Sequence, residues 1–327
     1  MPGNSGEKGN GRDGGSGTKK VIWSYFPVTL LTVVFCCILW GSAIPAVKIA
    51  YEAFRIGSDD TSSRILLAGV RFILSGVMII GIGSLIGRRL LIPKRSSWKY
   101  ISILALFQTA GQYYFFFMAV AHTSGVRSSI INASGNFLAI IFAVLIFRME
   151  KLSWKKAAGC IIGFAGILTI LGGFRAFMEG GAITFEGEGA MLIADVFYAV
   201  SRCCIKIFSK EEDPVVLCGW QFLLGGSILA VIGLIMGGQL HFYNSTCVID
   251  LLYMGFISAG AYTLWSILLK YNPVSRISIL GFLNPVMSVF LSALILGENQ
   301  EAFSLKGLLA LALVSLGIII VNVGEQE

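Results

Sequence analysis

Three residues in the second half of the chain have the types and spacing to hold or relay charge. Asp195, Tyr198 and Arg202 stand at i, i+3 and i+7, which puts them on one face of a helix. Their surroundings are apolar, and an ionisable group at the centre of a membrane helix costs at least about 2.5 kcal/mol. Such a cost implies a use. A carboxylate and a guanidinium two turns apart can face one cavity and be bridged by a solute. Asp195 can also exchange a proton, or pair with a basic group of a neighbouring helix. Arg71, near the start of another apolar run, reads either as a second cation of that cavity or as an interfacial anchor.

Amides and aromatic rings extend the set. Gln108 and Gln112 lie at i, i+4 with Tyr113 and Tyr114 beside them, and Asn132 and Asn136 repeat the spacing. Amides on one face of an apolar helix bond across helices or line a wet cavity. Asn284-Pro285 repeats the asparagine and adds a helix break, which would offer carbonyls and helix ends to a ligand. Trp40, Ser42 and Pro45 form a similar group, with Pro45 freeing backbone carbonyls for a kink. Lys48 after it reads as a snorkelling anchor at the end of a span. Trp220, Gln221, Tyr262 and Trp265 complete the set, although Trp and Tyr are also the residues of interfacial belts.

Enzyme chemistry is not indicated. The two histidines, His122 and His241, are far apart, and no H-E-x-x-H, G-x-S-x-G or Walker pattern occurs. No metal or other cofactor is expected. Six of the seven cysteines lie in apolar runs without a C-x-x-C pair, so they read as packing residues. The net charge of +7 comes from short basic clusters between apolar runs, the pattern that orients a membrane protein, so no nucleic-acid partner is expected. A channel would call for a ring of like charges or a repeated filter sequence, and neither is visible. Asn244-Ser245-Thr246 fits a glycosylation acceptor, a match common by chance.

The elements that must position these residues are apolar helices. The 327 residues are 56% hydrophobic and 13% charged, with a mean hydropathy of +0.80, against roughly 25% charged in a soluble domain. The missing polar surface implies a lipid bilayer as solvent. Breaks at charge clusters and Gly/Pro-rich stretches predict spans at 25–48, 65–86, 99–121, 126–147, 155–174, 189–208, 215–237, 249–270, 274–296 and 305–323. The polar residues 1–24 read as a disordered cytoplasmic tail, 175–188 as an extracytoplasmic linker and 324–327 as a cytoplasmic end. With an inside N-terminus, seventeen Lys and Arg fall inside and five outside, which puts both termini in the cytoplasm of a multi-pass cell-membrane protein.

The spans divide into two related sets of five, 25–174 and 189–323. A shift of 148 residues lays Tyr114 on Tyr262, Asn136 on Asn284 and Glu150 on Glu298. A shift of 150 lays Arg71-Phe72 on Gln221-Phe222, and one of 158 lays Lys48 on Lys206. Five spans per copy is odd, so the copies must insert with opposite orientation. Inverted repeats put a site near the midplane, exposed alternately as the halves rock. The expected fold is an all-α membrane protein of ten helices in two inverted five-helix repeats.

Several motifs resemble the EamA type of the drug/metabolite transporter superfamily. Trp40-Gly41-Ser42-Ala43-Ile44-Pro45-Ala46-Val47-Lys48 is similar to its W-G-S-x-x-P-x-x-K signature, and Arg71-Phe72-Ile73-Leu74 to its R-F-x-L element. Ala119-Val120-Ala121 before His122-Thr123-Ser124 resembles the family's third-span ending. Glu150-Lys151-Leu152-Ser153 and Gly297-Glu298-Asn299 resemble its short G-E hairpins, with Arg148-Met149 replacing the usual small residues before the first Glu. The resemblance implies an exporter or exchanger of small metabolites, a class that spans amino acids, drugs, sugars and nucleotide-linked compounds. The cavity's mixed charge suits a zwitterionic solute such as an amino acid. The fifth and tenth spans, uniformly apolar, read as packing or homodimer elements.

Overall fold

The fold is built from helices whose apolar faces run most of the way round. In a computed structural model of the chain, the structure describes residues 22–57, 59–122, 132, 134–136, 138–151, 153–170, 185–281 and 283–296, with isolated positions in the last apolar run. The elements are α1 (Phe26–Gly41), α2 (Ala43–Phe54), α3 (Thr61–Gly87), α4 (Trp98–Leu104), α5 (Gln112–His122) and α6 (Ser134–Ile146). They continue with α7 (Trp154–Ile170), α8 (Ala190–Phe208), α9 (Pro214–Ile235), α10 (Ser245–Tyr271), α11 (Val274–Leu280) and α12 (Leu283–Leu296). No strand occurs among the described residues.

Five helical stretches are long and apolar enough to cross a membrane: Phe26–Phe54, Thr61–Gly87, Arg95–Ala119, Pro214–Ile235 and Ser245–Tyr271. Helix α8 is long enough but carries Asp195, Arg202 and Lys206 within its 19 residues. The run 274–296 is divided into α11 and α12, and α7 has only 17 residues. The run expected at 305–323 lies mostly outside the described residues. Large apolar side chains such as Leu85, Ile86 and Ile235 are about four-fifths exposed at the periphery, where only lipid can cover them.

The longest seam is between α3 and α9. Glycines recur every seven residues on both, at Gly69, Gly76 and Gly83 and at Gly219, Gly226 and Gly233. A 150-residue shift superposes the two series, a match of register that the span-by-span reading overlooked. A Cβ on Gly226 would stand 2.7 Å from the Ile73 nitrogen, and one on Gly233 2.6 Å from the Leu66 nitrogen. The contacts run antiparallel, and without side chains in the way the two backbones nearly touch. Aspartates start both helices: Asp60 accepts from Ser63 N at 2.9 Å, and Asp213 from Val215 N at 2.8 Å, satisfying donors that a helix start leaves free.

Loops gather at two ends. At one, Asn272 Nδ2 donates to Trp23 O at 2.9 Å, Ser97 Oγ donates to Glu212 at 2.7 Å, and Lys206 Nζ donates to Asn272 O. Glu150 belongs to the same end, accepting from Val274 N, Ser275 Oγ and, at 3.0 Å, Lys156 Nζ. At the other, Cys247 Sγ donates to Ala53 O at 3.2 Å and Gln239 N to Ser63 Oγ at 3.0 Å. The first end carries the basic loop segments that the charge bias assigns to the inside.

Two expectations change. The first apolar helix does not stop at Lys48 but continues to Phe54, because Tyr51 and Phe54 pack against the core despite the polar Glu52 and Arg55 around them. Lys48 and Arg71 therefore lie within helices rather than at span ends. Asn244, the glycosylation candidate, accepts from Cys247 N at 3.1 Å as the N-cap of α10.

Candidate solute site

Two broken helices frame the bundle's centre. The chain turns out of regular helix at Ser42 between α1 and α2, and again at Gly281 after α11. Pro45 and Pro285 then occupy the third position of the helix that follows, within the first turn, where a missing N–H costs nothing. The first break packs on the helix after the second: a Cβ on Gly41 would lie 2.9 Å from the Met287 carbonyl carbon. Ser42 Oγ donates to Leu39 O at 2.8 Å and lies 2.8 Å from the Tyr253 hydroxyl. Gly281 stands where an added Cβ would meet Asn136 Oδ1 and the Trp265 ring, both at 3.1 Å.

From there a ladder of rings and cations crosses the interior. Trp40 packs on Tyr262 and Trp265, at 5.1 and 4.8 Å between centroids. The Arg202 guanidinium lies 4.4 Å from the Trp265 centroid and 4.2 Å from that of Tyr198, and its NH1 reaches Ser278 Oγ at 3.4 Å. The Tyr198 hydroxyl donates to Asn136 Oδ1 at 3.4 Å. In the other direction the Tyr262 hydroxyl is 2.6 Å from that of Tyr113. Arg71 caps this side, 4.5 Å over Phe72 and 5.4 Å from the Tyr113 ring.

The polar groups here are buried without being satisfied. Arg71 is 7% exposed and Arg202 2%, and Nε of each has no hydrogen-bond partner. The same holds for Trp40 Nε1, Trp265 Nε1, Gln112 Oε1, Gln221 Nε2 and Asn284 Oδ1. Proteins satisfy nearly all such atoms, since an orphan costs about 1–3 kcal/mol. Among the described residues no carboxylate stands within ion-pair distance of either arginine. Asp195, 1% exposed, instead accepts from Ser134 Oγ at 2.9 Å and faces α6. The arrangement can receive a solute carrying acceptors and an apolar body. A small recess of about 10 Å³ is lined by Tyr51, Arg71, Phe117 and Met254.

The structure thus brings together Trp40, Ser42, Arg71, Asn136, Tyr198, Arg202, Tyr262 and Trp265 around the helix breaks. Asp195 adjoins them one turn away. Gln221 lies beside them on α9, its Oε1 accepting from Thr109 Oγ1 at 2.7 Å, and Gln108 and Gln112 are buried at 5% and 7% exposure. Trp220 points elsewhere: its Nε1 donates to Leu91 O at 2.7 Å and its ring meets Trp98 at the basic end. Tyr114 packs against Phe115, and its neighbour Tyr113 takes the inner position. A π-helical stretch, Ala105–Gly111, runs just before them. Asn132 is half-buried, and the Pro285 side chain lies outside the described residues. Ser134 and Ser278 were missed; a serine in an apolar helix gives little signal, since it can bond its own backbone.

Comparison with known proteins points one way. The model of the EamA-like transporter family matches residues 28–172 and again 186–323. A WAT1-related chloroplastic protein of Arabidopsis thaliana is 27% identical over 295 residues, covering 88% of this chain and 67% of that one. An uncharacterized transporter of Synechocystis is 27% identical over 315 residues, 90% of each chain. A Salmonella typhimurium protein named a probable amino-acid metabolite efflux pump is 26% identical over 296 residues, 86% of this chain and 89% of its own. One crystal structure shares the fold at a TM-score of 0.71 and 21% identity, covering 90% of this chain and 96% of that chain. The two matched stretches account for most of the sequence, and the chain belongs to the EamA-like transporter family.

Proposed function

We propose that the protein is a secondary carrier that moves a small metabolite across the cell membrane by alternating access, as an exporter or exchanger. Ten spans form two inverted five-helix repeats, with both termini and the basic loop end in the cytoplasm. The 150-residue register shared by the α3 and α9 glycines supports the repeat reading. The observation that carries the function is the set of buried, unpartnered polar atoms around the two helix breaks. A fold retains such atoms at a cost when something transient satisfies them. The solute occupies the ladder, and the halves rock about the Gly41–Met287 contact, where the broken helices absorb the change. Candidate contacts are Trp40, Arg71, Asn136, Tyr198, Arg202 and Trp265. The Salmonella relative's name places amino-acid metabolites among the cargo classes to test.

The experiment is saturable uptake into proteoliposomes against a metabolite panel, with and without a pH gradient. A steady ionic current with no solute movement would replace the carrier by a channel. Asp195→Asn in the same assay addresses coupling, and an unchanged pH dependence removes Asp195 from it.

A further inference from the structure

The charge of the site is lopsided. Arg71 and Arg202 are both more than nine-tenths buried, and both have an unpartnered Nε; Arg202 lies over Trp265, one turn from Tyr262 on α10, and Arg71 near the Tyr113 ring whose hydroxyl meets that of Tyr262. The acid nearest to Arg202 along its own helix, Asp195, is seven residues away, a rise of about 10 Å, and its carboxylate is engaged by Ser134 on α6. The ring faces that would recognise a cation are occupied from within the protein. Arg202 lies over Tyr198 and Trp265, and Arg71 over Phe72 and beside Tyr113. A cationic ligand would find those faces taken and two like charges behind them. A buried guanidinium without a counter-charge is costly, and an anion would supply what it lacks.

We infer that the solute is an organic carboxylate of net negative charge with an apolar body, its acid group held between Arg71 and Arg202 and its body against Trp40 and Tyr262. The inference rests on the carrier reading and narrows its cargo. A third cation stands nearby. The Arg64 guanidinium lies 5.0 Å from the Tyr51 ring, and Tyr51 and Arg71 line the same small recess. The guanidinium fork suits a carboxylate, which can take two parallel hydrogen bonds from it.

The test uses three probes that share a phenyl ring: phenylacetate, phenylalanine and phenethylamine. Full-length protein in proteoliposomes should take up phenylacetate saturably, at least about tenfold faster than either of the others. Arg71→Gln and Arg202→Gln should each lower phenylacetate uptake by about tenfold or more, with Arg202→Lys retaining more than Arg202→Gln. Variants are scored only where they elute as folded, monodisperse protein. In detergent, quenching of tryptophan fluorescence by phenylacetate should be lost in the same glutamine variants, which separates lost binding from lost folding. Equal or faster uptake of phenylalanine or phenethylamine would overturn the anion inference while leaving a carrier in place. So would wild-type phenylacetate uptake by both glutamine variants, or uptake of none of the three. The metabolite panel judges the carrier reading separately, so either can fail alone.

Discussion

The α3–α9 seam and the Arg71–Arg202 ladder lie side by side in one bundle and obey opposite rules. Along the seam every local choice agrees with the fold: small residues where backbones approach, capping aspartates at both starts, apolar rings on either flank. In the ladder, polar atoms are buried and left without partners. Natural sequences depart from consistency at functional sites, so the seam reads as scaffold and the ladder as the part that works. The contrast predicts that substitutions in the seam destroy stability, whereas substitutions in the ladder spare it and remove function.

The largest effect is expected at Gly226. A leucine there would drive its Cβ to within 2.7–2.9 Å of the Ile73 nitrogen and the Gly69 carbonyl oxygen, backbone atoms that cannot step aside. Gly226→Leu should cost about 3 kcal/mol or more, or prevent folding. A thermal melt followed by size-exclusion chromatography measures it, and a variant that melts like wild type would end the scaffold assignment. Next comes Glu150, whose carboxylate receives Val274 N, Ser275 Oγ and Lys156 Nζ, the last at 3.0 Å. Its side chain is only 9% exposed and that of Lys156 12%, so Glu150→Gln should lower stability by about 1–3 kcal/mol.

The ladder reverses the sign. Arg202→Met removes a buried charge with no carboxylate partner among the described residues, so stability should hold or rise by about 1 kcal/mol. Transport in the same preparation should fall by about a hundredfold, since the cation that meets the solute is gone. A destabilised Arg202→Met would mean that Arg202 serves the fold, and the two regions would no longer differ in kind.

Much of this was legible in the sequence, and the boundary has physical causes. Hydrophobic runs exposed the helices and their order, because burial in lipid leaves a strong compositional mark. Asp195, Tyr198 and Arg202 were recognisable because a charge in an apolar run is conspicuous. Their partners were not: Ser134 and Ser278 are small and can bond their own backbone. Trp220 shows the opposite error, since the same residue type serves a cavity or an interface, and only its bond to Leu91 distinguishes them. The glycine register of α3 and α9 was present in the letters throughout. It escaped notice because glycine lacks the side chain that pattern-matching weighs.

The smallest effect, and the control for the comparison, lies at Glu212, a polar cluster at the basic end whose needs are met. Its carboxylate accepts from Ser97 Oγ at 2.7 Å, Asp213 N at 2.9 Å and Lys94 N at 3.2 Å. Partial burial raises the carboxyl, but these hydrogen bonds and the Lys94 charge outweigh it, so it titrates below the ordinary glutamate range. A depressed folded-state value means that the stabilisation is fully present above the unfolded pKa of about 4.3. It is lost as pH falls through the lower folded value. The group is largely solvent-accessible, so screening keeps its worth to about 0.5 kcal/mol. Glu212→Gln should therefore lower the melting temperature slightly at pH 7 and leave transport unchanged. The gap from wild type should narrow as pH falls below the unfolded value and vanish once the pH is below the lower folded one, where the wild-type carboxylate is protonated as well. A loss as large as that of Glu150→Gln would mean that exposed and buried polar clusters weigh equally in this fold. The ladder's unsatisfied atoms would then need no solute to explain them.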